Sequence, residues 1–181
     1  MFQLKPAFLD VAIKAAQITK KALVLILREQ GHKLTGKLER SIEFSIEYDP
    51  AKLTATISVY LESYGIPLST GVPAARIPYT RGSGAPKSKL IQGLMEFARL
   101  RGLGNNDSEN MRVAFAIVNA WKRDGGSPTK ASKRFSKTGQ RTGAIEETVK
   151  TIEPLIINLI SDIFERSFGL FITDYIPTII K

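Results

Sequence analysis

The sequence has no cysteine and a single histidine among its 181 residues. Without cysteine the chain has no Cys-ligated zinc or iron–sulfur cluster, no cysteine nucleophile and no disulfide framework. Long apolar runs are also missing: the longest near the N-terminus, 22–27, is far too short to cross a bilayer, and the first 30 residues lack the layout of a signal peptide. These absences predict a protein that is made and kept inside a cell.

Familiar catalytic and metal-binding motifs are missing as well. The chain contains no His-Glu-x-x-His motif, no phosphate-binding G-x-x-x-x-G-K-[ST] loop and no paired acidic metal motif. His32 follows Gly31, a residue that suits the end of a helix, and we expect this histidine to lie exposed in a loop. The sequence therefore predicts a protein that is not an enzyme and that binds no metal or cofactor. An enzyme, such as a small nuclease, ranks third among the functions considered.

Negative charge is scarce, because 26 Lys and Arg face 17 Asp and Glu, which gives a formal net charge of +9. Residues 122–141 hold seven of these basic residues and one acid, a net charge of +6, among many Ser, Thr and Gly. This composition predicts a mobile, solvated loop over 122–143. Three roles stay open for it: neutralising DNA phosphates, docking on an acidic partner protein and ordering there, or only keeping the chain soluble. The candidate contacts for DNA or an acidic partner are Arg81, Lys87, Lys89, Lys130, Lys133, Arg134, Lys137 and Arg141.

Hydrophobic periodicity predicts most of the secondary structure. Apolar residues recur at helical spacing over 6–30, 88–101, 108–123 and 144–168, and Gly169 is expected to end the last helix. Alternation over 41–48 and 53–61 predicts two strands that form an antiparallel hairpin with one solvent-exposed face. The Gly- and Pro-rich stretch 63–87 predicts a long loop, and the β-branched tail 169–181 predicts a C-terminal strand or arm.

These elements indicate a single α+β domain over 1–181. We expect an antiparallel β-sheet built around the central hairpin and packed by the long N-terminal helix and further helices, with long loops at 63–87 and 122–143. The first loop carries apolar residues, which argues that it docks on a neighbour. The candidate subunit-interface residues are Tyr60, Tyr64, Ile66, Leu68, Val72, Ile77 and Tyr79.

The order of elements and three short motifs resemble the tail-completion proteins of tailed bacteriophages, the head-to-tail joining or minor tail proteins of the virion neck. LTGKLERSI at 34–42 is similar to that family's T-G-x-L-x-x-S-I signature before the first strand. SYGIPLSTGVPAARIPY at 63–79 is similar to its loop with a Tyr, a Gly and a Pro after the second strand. AFAIVNAWKRDGGSP at 114–128 is similar to its alanine-rich helix that ends in Lys and a Gly turn.

The resemblance implies a structural, non-enzymatic virion protein of the neck, present in the host cytoplasm during assembly. Such a protein forms a ring of its own copies, typically a hexamer, between the head connector or stopper and the tail tube, and DNA passes through the ring. It implies that the loop 63–87 and the C-terminal strand reach adjacent subunits, and that the basic loop faces either the DNA channel or an acidic partner ring, with no membrane partner. A tail-completion and a tail-terminator role stay open, and the alternative is an architectural DNA-binding protein without sequence specificity.

Overall fold

The computed structural model describes residues 4–33, 35–52, 54–80 and 88–179, and within these ranges the side chains from 8 to 166. The fold is α+β, as predicted, with mostly helical structure and small antiparallel sheets. The elements in chain order are α1 (Leu4–Glu29), α2 (Lys37–Arg40), β1 (Glu43–Asp49), β2 (Thr54–Tyr60), α3 (Gly65–Thr70), β3 (Val72–Pro73), a 3-10 turn (Ala74–Arg76), α4 (Lys89–Leu100), α5 (Asp107–Arg123), β4 (Gly126–Ser127), a 3-10 helix (Lys130–Phe135) and α6 (Ala144–Ile179).

The chain's contacts group into two compact units, where the sequence suggested a single domain. The first unit comprises 1–26, 39–62 and 145–181, and the second comprises 27–38 and 63–144. Each unit is assembled from segments far apart in sequence. No shift in composition marks such a division, because the chain enters and leaves each unit within regular elements and short connections.

Helices α1 and α6 belong largely to the first unit. In α1 a stripe of small side chains is buried, which lets neighbouring backbone approach closely. The members of this stripe are Val11, Ala12, Ala15 and Ala16. Phe8 of α1 meets Phe164 of α6 edge to face, with ring centroids 6.1 Å apart. The predicted N-terminal helix is therefore confirmed, with its bounds within two residues of those expected.

Strands β1 and β2 form the predicted antiparallel hairpin. Its apolar face is made by the cross-strand pairs Phe44 with Val59, Ile46 with Ile57 and Tyr48 with Ala55. Glutamates and threonines alternate onto the other face, as the period of two requires. No residue of either strand is fully buried, and within the described ranges no third strand joins this sheet.

The second unit has its core between α4 and α5. Each helix starts at a side-chain cap: Ser88 Oγ accepts the Ile91 N–H at 3.3 Å, and Asn106 Oδ1 accepts the Glu109 N–H at 2.9 Å. Helical spacing then brings the apolar faces of the two helices together. The buried members of this cluster are Ile77, Ile91, Leu94, Ala114 and Val118. The two predicted helices are thus confirmed, although α5 begins one residue earlier than expected.

The predicted long loop 63–87 is wrong for its described part, 63–80, which holds α3, β3 and a 3-10 turn. Pro67 lies in the first turn of α3, where a missing N–H costs no helical hydrogen bond, so this proline is compatible with a helix that the sequence did not predict. Val72 and Pro73 then pair with Ser127 and Gly126 in the small second sheet. The paired residues lie 55 and 53 positions apart in sequence, and no local signal predicts the pairing.

The predicted C-terminal strand is also wrong, because α6 continues through Gly169 to Ile179. A strand needs a neighbouring strand for its backbone N–H and C=O groups, whereas a helix satisfies them within itself. One glycine inside a helix costs only about 1 kcal/mol relative to alanine, so Gly169 does not suffice to stop it. Of the helices that are described here, none combines the length and the apolar character needed to cross a membrane.

Candidate functional site

The basic segment, which we define as residues 130–141, is held against the C-terminal end of α1. Gly31 closes α1 in the left-handed conformation, with φ of 75°. The carbonyl oxygen of Glu29, left without a helical partner there, accepts the Lys137 N–H at 2.7 Å and the Ser136 hydroxyl at 3.2 Å. The expectation of a mobile loop over 122–143 is therefore wrong, because bonds between residues about 107 positions apart tie the segment to a helix end.

Two further bonds fix the end of this segment. The Gln30 side chain is fully buried, and its Nε2 donates to the Thr142 carbonyl oxygen at 3.1 Å. His32 Nε2 lies 3.1 Å from the Arg141 carbonyl oxygen, so this nitrogen carries the proton and donates. Burial, and next the positive charge of Arg141, lower the pKa of His32. His32 is thus a half-buried structural donor, which corrects the expectation of an exposed loop histidine.

Four cations of the basic segment point to solvent. Within the part of the chain that the structure describes, none of the four has an ion pair with an acid. They are Lys130, Lys133, Arg134 and Lys137. Arg134 lies over the Phe135 ring, with its guanidinium carbon 4.8 Å from the ring centroid. The segment therefore presents concentrated positive charge, although Lys130 interacts electrostatically with Asp124 and helps to lower the pKa of that carboxyl group.

Arg141, the fifth predicted cation of the segment, is half-buried. Its Nε atom is buried and has no hydrogen-bond partner among the described residues. Burial, and next the positive charge of Arg101, lower the pKa of Arg141. With Lys133 it lines an open groove of about 700 Å³, whose one acid, Asp124, already accepts from Arg123 Nε at 2.7 Å. The groove thus adds to the positive potential of the segment.

The remaining predicted cations are not brought into this cluster by any described contact. Lys89 is the first residue of α4 and is exposed. Arg81 and Lys87 lie outside the described residues.

The predicted subunit-interface residues divide into exposed and buried groups. Tyr60, Tyr64 and Ile66 are exposed, and the Tyr60 hydroxyl lies 3.4 Å from Ser45 Oγ on the polar face of the hairpin. Ile77 is only 4% exposed and belongs to the α4–α5 core, so its prediction as an interface residue is wrong. Leu68 is half-buried, and Val72 and Tyr79 pack against the same core. From the sequence, an apolar residue in a Pro-rich stretch is expected to be exposed and free to contact a neighbour. Here the fold of 65–80 turns Ile77 into the core instead.

Sequence reasoning missed an exposed apolar stripe on α6. Its apolar residues follow one another at steps of eight, three and four, which places them on a single helix face. They are Val149, Ile157, Ile160 and Phe164, all exposed, although Phe164 also meets Phe8. Glu153 lies on the same face, between Val149 and Ile157. The spacing was visible in the sequence, but periodicity alone does not tell which apolar face of a helix is turned to its own core.

No group of three metal-binding side chains occurs in the ranges described. The arrangement as a whole is one of surfaces: a fixed cationic segment, an apolar helix stripe and a hairpin without a third strand. Such features suit contact with macromolecules. Comparisons of the chain with protein-family models, curated protein sequences and solved structures find no match.

Proposed function

We propose that this protein is a structural, non-catalytic subunit of the neck of a tailed-phage virion. In this proposal copies of the chain form a ring, six-fold in the family that the sequence resembles, which joins the head connector or stopper to the tail tube. DNA passes through the ring. The partners are further copies of the chain, the connector or stopper and tube proteins, and the passing DNA.

The observation that carries this proposal is that β1 and β2 form a sheet of two strands, with no third strand among the described residues. A two-stranded sheet is marginal by itself in water and needs a third strand or a packed cover. Here no strand residue is fully buried, and the described chain supplies no third strand. Addition of a strand or loop from another copy would complete the sheet, which is a common mode of protein association.

The α6 stripe supports the same proposal. Several large apolar side chains stay in water on one helix face, although burying each would contribute roughly 1.5 to 3 kcal/mol. Contiguous apolar surface of this kind marks interaction sites in folded proteins. A subunit that is complete only in an assembly would leave these surfaces uncovered in the single chain.

The test combines assembly in solution with virion morphology. Ile160→Glu places a charge in the stripe, whereas Ser161→Glu places the same charge one residue further on, outside the stripe, at a position that is also exposed. We expect light scattering to show a ring for the parent chain and for Ser161→Glu, and smaller species for Ile160→Glu. Virions lacking the protein should give full heads without tails; heads joined normally to tails would refute the neck role.

The second candidate is an architectural DNA-binding protein, and the four exposed cations of the basic segment favour it. If each neutralises a phosphate, the logarithm of the binding constant for a duplex should fall with the logarithm of salt concentration with a slope of roughly −3.6. Tight, salt-sensitive duplex binding by a monomer or dimer would favour this candidate over the neck subunit. Duplex binding that does not weaken with salt would refute it.

A further inference from the structure

Phe135 is the one large apolar residue of the basic segment, and at 61% it is the most exposed large apolar residue in the described part of the chain. Its backbone is nevertheless firmly placed, because its carbonyl oxygen lies directly against Gly31. The following residues, Ser136 and Lys137, both donate to Glu29. An aromatic ring is therefore presented to solvent from a fixed position, which is unlike an apolar side chain at the tip of a loose loop.

The surroundings of the ring are cationic. Arg134 covers part of it at 4.8 Å, and the exposed fraction of Phe135 shows that ring surface stays open with Arg134 in place. A guanidinium plane stacks on nucleobases as an aromatic ring does. Lys130, Lys133 and Lys137 lie within five residues of the ring along the chain, all exposed, and in the described ranges none of them pairs with an acid.

We infer that Phe135 and these four cations form a binding surface for single-stranded nucleic acid. Lysines and an arginine alone would suit any phosphate backbone. The aromatic ring of Phe135 adds a stacking surface that a duplex cannot use, because duplex bases are stacked on one another inside the helix. Unstacked bases of a single strand offer a π-face to an aromatic side chain, and this combination of stacking platform and cationic surround is the usual way in which single strands are bound.

The inference does not depend on the neck role, because it concerns the second unit of a single chain. Its test is the binding of labelled 12-nucleotide oligothymidylate and oligouridylate to the full-length protein, with a hairpin duplex of equal charge as comparison. We expect both single strands to bind more tightly than the duplex, and the two sugars to bind alike. A strong preference for one of the two strands would show that the 2′ hydroxyl or the thymine methyl group is read, and would overturn recognition by stacking and charge alone.

Variants separate stacking from charge. Phe135→Leu keeps an apolar side chain but removes the π-face, and should weaken single-strand binding roughly 5- to 150-fold with the salt slope unchanged. Phe135→Tyr should restore binding. Lys133→Ala should instead reduce the magnitude of the salt slope by about 0.7, because one phosphate contact is lost. Tyr64→Leu, which removes an exposed aromatic outside the basic segment, is the matched control and should change neither quantity.

Three further outcomes would overturn the inference. Equal affinity of duplex and single strand, with Phe135→Leu unaffected, would mean backbone binding only. An equal loss of single-strand affinity in Phe135→Leu and Tyr64→Leu would mean that the Phe135 side chain has no specific role in binding. Competition by polyglutamate as effective as that by oligothymidylate, with Phe135→Leu again unaffected, would mean an acidic protein partner. Ring assembly is measured separately by light scattering, so failure here leaves the proposed neck role unaffected.

Discussion

Replacing Gly31 by alanine tests whether the basic segment is held by the end of α1. Gly31 has φ of 75°, and a Cβ there would overlap the Phe135 carbonyl oxygen. The left-handed conformation costs alanine about 1 kcal/mol. Backbone must also move, which would break the bonds from Lys137 N and Ser136 Oγ to Glu29, each contributing about 1 kcal/mol. We expect a total loss of about 3 kcal/mol in the free energy of unfolding.

Gly102→Ala is the matched control, since Gly102 ends α4 in the same way. Both glycines donate to the carbonyl three residues back, and in both caps the next residue donates five residues back. Gly102 has φ of 62°, yet a Cβ there would meet no atom within 4 Å. Only the conformational cost of about 1 kcal/mol applies, so the two variants should differ by about 2 kcal/mol.

Urea denaturation measures the two losses, and hydrogen exchange of the Lys137 amide reports the local change. In Gly31→Ala this amide should exchange faster than the loss of global stability explains, whereas in Gly102→Ala it should not. Equal losses of stability in the two variants, or unchanged protection of the Lys137 amide in Gly31→Ala, would refute the proposed anchoring.

Three further predictions concern pH, the core and a helix cap. Burial lowers the pKa of His32 below its ordinary value of 6.5, so the unfolded chain takes up a proton there before the folded one does. The contribution of His32 to the free energy of unfolding should be complete above pH 6.5 and be lost as the pH falls from there through the folded pKa. Over this pH window the urea midpoint of His32→Gln should fall less steeply than that of the parent chain. Parallel curves for the two proteins would contradict the role assigned to His32. Ile91→Ala should lower the free energy of unfolding by roughly 2 to 5 kcal/mol, because Ile91 is fully buried. Leu100→Ala, at an exposed position of the same helix, should lower it far less. Similar shifts in the thermal unfolding midpoint of the two variants would contradict the core described. Asn106→Ala should cost about 1 kcal/mol through loss of the bond to the Glu109 N–H, and Asn106→Asp should retain it, as thermal unfolding of both variants would show; equal losses would exclude capping.

The sequence by itself determined the elements whose hydrogen bonds and apolar spacing are local. The helix ending at Gly31, the helices after Ser88 and near Asn106, and the hairpin around 49–52 were all predicted and are confirmed. In each, the cap or turn residue and the periodic apolar residues lie within one element. The cationic character of 130–141 was equally plain, because charge is a property of composition.

Tertiary structure alone decided how those elements pack and which of their residues stay exposed. The strand pair of Val72 with Ser127, and the bonds that hold the basic segment to Glu29, join positions between 55 and about 108 residues apart, and no local pattern encodes such a partner. In the folded chain Ile77 lies in the α4–α5 core, Phe135 is exposed and His32 is half-buried. Whether a side chain is core or surface depends on what the folded chain places over it. Composition and spacing therefore predicted the charge and the helices, and long-range packing decided which of their residues remain available to a partner.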